Sequence, residues 1–313
     1  MIILNKILFM GTPDFSVPVL EGLIENYEVI GVVTQPDKRV GRHQVLTPSP
    51  VKEVALKHHI PVFQPVKVRN EYEDFLALKP DIIVTCAYGQ ILPKTILDAP
   101  RLGCINVHAS LLPKLRGGAP IQKSIIDGYD ETGITIMYMD VSMDSGDIIE
   151  QSTTKILDSD NLESLYNRLK VMGRDLLLEV LPSIFDGTNQ RIKQDESLVT
   201  YAYNITREEE YLDFTKDARS LFNQIRGLSP TPGAYFLLDG VEMKVYSSYI
   251  SSDQSTGKVG TVSKIYKDGF GINTKDYVLV ITNIKPFGKK RMDASSYLNG
   301  ISKKDFIGKE LNS

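Results

Sequence analysis

Lys6–Met10, Glu28–Thr34, Asp81–Ala87 and Leu102–His108 are short, continuous apolar runs. Runs of this kind mark strands buried on both faces, as in a parallel sheet. Between them, Ser16–Glu25, Ser49–His59 and Glu71–Leu78 place apolar residues at helical spacing. Ser49-Pro50 suits an N-cap followed by proline at the first helical position. Strand alternating with helix over the first 185 residues predicts an α/β fold, a Rossmann-like doubly wound, mostly parallel sheet. Gly133–Asp140 and Asp147–Ile156 read as a hairpin-type pair added to that sheet. Asn161–Phe185 is the longest helical pattern, and Leu162, Leu165, Leu169, Met172, Leu176, Leu177 and Val180 form its core stripe.

From Asp186 to Thr206 the pattern becomes polar and irregular, as a linker would. After a helix at Ala218–Arg226 come five short β-rich segments: Ala234–Leu238, Glu242–Ile250, Gly257–Ile265, Phe270–Asn273 and Tyr277–Ile284. They predict a small C-terminal β-barrel, OB-like in type. The expected boundaries are therefore 1–186, a linker at 187–206, and 207–313. At 313 residues with 42% hydrophobic and 24% charged composition, such a chain needs no covalent staple. No apolar run approaches the roughly 18 residues of a membrane span. The opening Met1–Met10 lacks a basic leader and a small-residue cleavage site, so it reads as a first core strand. Cys86 and Cys104 sit in apolar runs without Cys-x-x-Cys spacing and read as buried thiols in a reducing cytoplasm. These features exclude secretion, membrane spanning, disulfide scaffolds and zinc modules, and a monomer is expected.

The net charge of -3 hides an asymmetry. Residues 205–313 hold 16 basic against 13 acidic residues, while the rest hold 20 against 26. Residues 34–52 carry Lys38, Arg39, Arg42 and Lys52 against Asp37 alone, and residues 285–291 place Lys285, Lys289, Lys290 and Arg291 within seven positions. Small basic clusters are ordinarily solvated surface. Their functional alternative is contact with phosphates.

The first strand runs into Gly11-Thr12-Pro13-Asp14-Phe15-Ser16, with no Gly-x-Gly-x-x-Gly, so no nicotinamide or flavin site is expected. Gly11 leaves room for a substrate at the backbone, and Asp14 or Ser16 is placed to cap the next helix. The most informative stretch is Asn106-Val107-His108-Ala109-Ser110-Leu111-Leu112-Pro113, followed by Arg116-Gly117-Gly118. Strand alternation puts Asn106 and His108 on one face. They would stand at a C-terminal strand end, where open α/β sheets bind ligands. Leu111-Leu112-Pro113 offers an apolar loop for a flat ring. About 36 residues on, Asp140, Asp144 and Asp147 share an acidic turn, and spacing alone does not choose among them. A carboxylate beside His108 would favour its protonated form. Amide, imidazolium and carboxylate together suit acyl transfer to an amine: the first two stabilise an oxyanion and the third assists proton removal.

With these residues the chain resembles the methionyl-tRNA formyltransferases, a branch of the folate-dependent formyltransferase family. The resemblance covers essentially the whole sequence. It includes Phe9–Phe15, Thr34–Asp37 with Gly41-Arg42 and Pro48–Lys52, Ala87–Pro93, Asn106–Pro120, Glu131–Met137, Asp144–Asp147 and Gly288–Met292. It implies that residues 1–186 form a catalytic domain in which Asn106, His108 and Asp144 carry catalysis. Ser110, Leu111, Leu112 and Pro113 would line a 10-formyltetrahydrofolate site, with Tyr88, Gln90, Ile91 and Leu92 holding the pterin. No metal is implied. The acceptor would be methionyl initiator tRNA, gripped by Lys38, Arg39 and Arg42 of the 34–52 loop and by Lys289, Lys290 and Arg291 of the C-terminal barrel. Two departures touch the tRNA side: His43-Gln44-Val45 stand where lysines are common, and Thr231 where a Trp is common. The rival expectations are a sibling enzyme formylating an amino sugar nucleotide or glycinamide ribonucleotide, a folate hydrolase, and a non-catalytic RNA-binding relative.

Overall fold

The computed structural model describes residues 5–41 and 43–312; residues 1–4 of the opening run and Arg42 lie outside them. In chain order the first half forms β1 (Lys6–Gly11), α1 (Val17–Asn26), β2 (Glu28–Val33), β3 (Lys38–Val40), β4 (Val45–Thr47), α2 (Pro50–Lys57) and β5 (Val62–Phe63). Then come α3 (Glu73–Leu76), β6 (Ile82–Cys86), α4 (Lys94–Leu97), β7 (Cys104–His108), α5 (Pro120–Ile126), β8 (Glu131–Tyr138), β9 (Ile148–Lys155) and α6 (Leu162–Phe185). Seven of these strands make one sheet in the order β5-β2-β1-β6-β7-β8-β9. The strands from β5 to β7 run parallel, and β8 and β9 add an antiparallel pair. The chain moves outward from β1 to β2 and then returns to β6 on the other side. That reversal is the switch point beside which such sheets bind ligands. Register aligns Met10, Thr85, Asn106 and Met137 in one row, with His108 opposite Thr135. Ile7, Leu8, Phe9, Met10, Ile82, Ile83 and Val84 are fully buried, which is why these strands read as continuous apolar runs.

The Ser49 cap forms as expected: its hydroxyl accepts from the Lys52 amide at 3.1 Å. The expected capping by Asp14 or Ser16 does not. Ser16 Oγ turns inward and donates to the Cys86 carbonyl at 2.5 Å, and Asp14 pairs with Lys170. The room at Gly11 is bordered by Phe9 and Ser16, whose atoms would lie within 3 Å of an added Cβ.

Two compact units share the chain. The first holds Met1–Pro120, Glu131–Lys155 and Tyr166–Tyr203; the second holds Ile121–Asp130, Ile156–Leu165 and Asn204–Ser313. Most of the segment that composition reads as linker thus belongs to the first unit. Ile192 exchanges two hydrogen bonds of 2.8 Å with Ile148, and residues 200–202 pair with Arg116 and Ala119. Isolated bridges to loops satisfy this backbone, so its side chains carry no periodic pattern.

The second unit contains α7 (Ala218–Gly227), β10 (Ala234–Leu238), β11 (Val241–Gln254), β12 (Val262–Ile265), β13 (Phe270–Asn273) and β14 (Tyr277–Pro286). It ends with β15 (Met292–Asp293), α8 (Ala294–Leu298) and α9 (Lys303–Phe306). The antiparallel order is β10-β11-β14-β13-β12, with β15 on β14. Register irregularities bend the long β11. The following segment then joins the two edges. Gly308 and Lys309 exchange hydrogen bonds with Val262 beside one edge strand, while Asn312 bonds both backbone groups of Leu237 on the other. The sheet is barrel-like for that reason. Leu221, Ile225, Phe236, Val245, Phe270 and Ile284 fill its core. Among the described residues no helix is long and apolar enough to cross a membrane.

Candidate active site

Asn106 and His108 lie on one face of β7, at the carboxyl end of the sheet beyond the switch point. His108 is only 6% exposed. Its Nε2 donates to the Leu115 carbonyl at 3.1 Å, and its Nδ1 lies 3.7 Å from Asp144 Oδ2. Nε2 is thus engaged by a backbone carbonyl, while the 3.7 Å from Nδ1 to the carboxylate is an ion-pair separation, longer than a hydrogen bond. The structure separates the three acids of the turn. Asp147 pairs with Arg191, Asp140 accepts from the neighbouring Val141 amide, and Asp144 faces His108.

Asp144 is built in from several sides. The Gly117 amide donates to its Oδ2 at 2.8 Å, and Gln194 Nε2 donates to the carbonyls of Asp144 and Gly146, each at 2.8 Å. Asp144 adopts φ +49°, a left-handed conformation that Asp tolerates better than most residues. Gly117 has φ +122°, and a Cβ there would press on the Ala202 carbonyl oxygen at 2.7 Å. The buried Arg116 holds this corner, its guanidinium reaching Gln194 and Glu196.

Asn106 is half-buried, and its Oδ1 accepts from Thr85 Oγ1 at 2.8 Å across the β6–β7 register. With the oxygen so held, the amide nitrogen faces away from Thr85 as a donor. The carboxamide N–H is then free to address a developing negative oxygen, on the same strand face as an imidazole whose Nδ1 edge faces a carboxylate.

The loop after β7 divides by burial. Ser110 is fully buried and donates to the Lys114 carbonyl at 2.7 Å, and Leu112 packs with Met137 and Ile148. Leu111 and Pro113 retain partial exposure. After β6, Tyr88 and Leu92 are buried in the core, and the Gln90 side chain receives the Val68 amide at 2.9 Å. Ile91 is 76% exposed. Val141 and Met143, in the loop after β8, are also exposed. Asp98 and, less strongly, Asp140 raise the Lys94 ammonium, so the loop after β8 lies within electrostatic reach of the start of α4. Apolar side chains held open at strand ends fit a flat, largely uncharged ring.

Thr135, Gln151 and Gln194 stand behind this site and were not singled out from the sequence. Thr135 Oγ1 donates to Ser110 O at 2.6 Å and receives Leu112 N and Gln151 Nε2 at 3.1 and 2.8 Å. A hydroxyl between Ile134 and Ile136 in a buried strand was the available signal. Burial pushes the thiols of Cys86 and Cys104 up to about 12, which keeps both unreactive.

Of the basic residues, Lys38 and Arg39 are exposed on the β3–β4 hairpin, whose Val40, Val45 and Leu46 are also exposed. Lys52 turns inward to Asp37 and Gln64. Lys289 and Lys290 are exposed, while the Arg291 guanidinium lies over the Tyr246 ring at 4.4 Å and donates to Asn283. Arg42 lies outside the described residues.

Residues 5–181 match the family model described as formyl transferase, and residues 204–302 that of the formyl transferase C-terminal domain. The fold agrees with solved formyltransferase structures. One is the N-formyltransferase from Helicobacter canadensis in complex with folinic acid and dTDP-3-aminofucose, with a TM-score of 0.67 at 21% identity, over 90% of this chain and 100% of that one. Curated relatives are more similar in sequence. The methionyl-tRNA formyltransferase of Bacillus subtilis is 52% identical over 95% of both chains, and that of Staphylococcus epidermidis is 50% identical over 98% of this chain and 100% of its own. The chain belongs to the methionyl-tRNA formyltransferase family.

Proposed function

We propose that this protein transfers a formyl group from 10-formyltetrahydrofolate to the α-amine of methionyl initiator tRNA. The observation that carries the chemistry is the Asn106–His108–Asp144 cluster at the carboxyl end of β7. Identity of 50% and more along the whole chain to methionyl-tRNA formyltransferases supports the acceptor. The neutral amine attacks the formyl carbon and a C–N bond forms. Asn106 Nδ2 stabilises the tetrahedral oxyanion, joined by His108 through Nδ1, the ring nitrogen that the Leu115 carbonyl does not engage. Asp144 orients His108 and draws the amine's proton away, and the folate nitrogen leaves with a proton as its bond to the formyl carbon breaks. Ile91, Leu111 and Pro113 give the folate ring an apolar seat, with Tyr88, Leu92, Ser110 and Leu112 as its buried support and Gln90 holding loop 65–68. Lys38, Arg39, Arg42, Lys289, Lys290 and Arg291 supply charge to the tRNA backbone. The activity belongs in the cytoplasm, where the aminoacyl-tRNA is made, and needs one copy of the chain.

The test is formyl transfer from 10-formyltetrahydrofolate to methionyl initiator tRNA, beside methionyl elongator tRNA, a 4-amino-sugar nucleotide and no acceptor. Strong preference for the initiator, weakened by Arg42→Ala, is expected. Transfer to the sugar, or formate release without acceptor, would overturn the assignment and leave the folate chemistry standing.

A further inference from the structure

Tyr201 and Tyr203 are both exposed, at 49% and 63%, while Ala202 between them is fully buried. The segment is extended, so the two rings emerge on one face. Their centroids lie 5.6 Å apart and their planes differ by only 5°. Residues two apart on an extended strand can splay into water independently; these form a parallel stack whose outer faces stay wet. The segment is also fixed. Ala202 N donates to Arg116 O at 2.7 Å, Arg116 N to Thr200 O at 2.9 Å, and Ala119 N to Ala202 O at 3.0 Å. Arg116 pairs with Tyr201 in a parallel bridge. One residue before Arg116, Leu115 O receives His108 Nε2; one residue after it, Gly117 N donates to Asp144. The backbone that carries the aromatic pair is thus paired, at one strand spacing (roughly 5 Å backbone to backbone), with the strip whose carbonyl and amide hold His108 and Asp144.

We infer that Tyr201 and Tyr203 form a stacking platform for the unpaired bases at the 3′ end of the acceptor RNA. The inference rests on the tRNA reading above and extends it to the single-stranded end that carries the aminoacyl ester. Every base has a π-face, so a parallel aromatic stack receives single-stranded nucleotides without reading their sequence. A rigid platform of this kind contributes binding energy to the terminal nucleotides equally in the ground and transition states, which lowers KM without changing kcat. Lys193 and Lys114 are exposed beside this strip and offer charge to a phosphate backbone; Glu196 and Leu198 are exposed there too.

Kinetics test the inference. Tyr201→Ala/Tyr203→Ala should raise KM for methionyl initiator tRNA roughly tenfold, with kcat and the folate KM within twofold of wild type. Tyr201→Phe/Tyr203→Phe should restore the wild-type KM, because stacking needs the ring and not the hydroxyl. A second readout does not depend on formyl transfer. The chain has no tryptophan, so Tyr203→Trp introduces a single indole. Its emission should be quenched by the ribotrinucleotide C-C-A and left unchanged by ribose 5-phosphate. An unchanged KM in the alanine pair, failure of the phenylalanine pair to rescue, or no quenching by C-C-A would each overturn the platform. If the wild type formylates no tRNA, the functional reading falls, and the quenching titration still decides the platform.

Discussion

Asp144 and Gly117 are 27 positions apart, and the Gly117 amide donates to the same carboxylate oxygen that lies 3.7 Å from His108 Nδ1. One main-chain N–H thereby aims the acid at the imidazole. The glycine is needed there because φ +122° and the nearby Ala202 carbonyl leave no place for a Cβ. Gly117→Ala should lower kcat at least tenfold while costing about 1–3 kcal/mol of stability. Single-turnover formyl transfer alongside a thermal melt separates the two effects. Asp144→Asn keeps an acceptor for Gly117 but loses the charge, and kcat should fall roughly 10²–10⁴-fold without a change in melting temperature.

On the proposed mechanism, Asn106→Ala removes one oxyanion donor. The expected loss is about 3–4 kcal/mol in the barrier, with little change in KM for either substrate. A KM effect without loss of kcat would place Asn106 in substrate binding instead.

Thr135 ties together the loop that follows β7. Thr135→Val strands Ser110 O and Leu112 N, both bonded to its hydroxyl in the wild type, while Gln151 Nε2 keeps its bond to the Leu112 carbonyl. A cost of about 1–3 kcal/mol follows for each group left buried and unpaired. Because Leu111–Pro113 shift with the loop, KM for the folate donor should rise more than KM for the acceptor. Steady-state kinetics with both substrates varied would show it.

The second unit should weaken in acid. The Ser220 amide first, and then its hydroxyl, hold the Asp217 carboxyl below the usual carboxylate range. Burial pushes Asp276 upward, but the amides of Ala218 and Tyr277 outweigh it and its carboxyl is also lowered. A depressed folded value contributes stability above the unfolded value, near 4, and loses it as pH falls through the folded value. The melting midpoint should therefore drop as pH falls below about 4. Asp217→Asn/Asp276→Asn should flatten that slope, as read by circular dichroism.

Removing residues 308–313 opens both edges of the second unit's sheet, since Val262 and Leu237 lose their partners. A lower melting temperature and concentration-dependent aggregation through the exposed edges are expected. Light scattering across a dilution series would measure the second effect.

The sequence reveals what repeats. The buried parallel strands announced themselves as apolar runs because both their faces are covered, and Asn106-x-His108 fell on one face because strands alternate. The choice of Asp144 over Asp140 and Asp147 was not legible from spacing. It depends on Arg191 taking Asp147 and on Gly117 reaching Asp144, and both are contacts over long separations. The supposed linker misled for a related reason. Its polar residues describe a segment whose backbone is satisfied by scattered bridges, such as Ile192 to Ile148, and no pattern of side chains reports them. The hairpin pairing Lys38–Val40 with Val45–Thr47 is equally silent, because neither strand has a buried face.

The chain passes between its two units after Pro120, Asp130, Lys155, Leu165 and Tyr203. Ile126 packs into the second core, and Arg226 donates to the carbonyls of Leu157 and Asp160, so both early excursions are integral to the second unit. A graft made at residue 204 would leave those pieces behind with the donor of the first half. Exchanging the second unit intact therefore takes cuts at all five of these passages, where a single crossover moves only part of it.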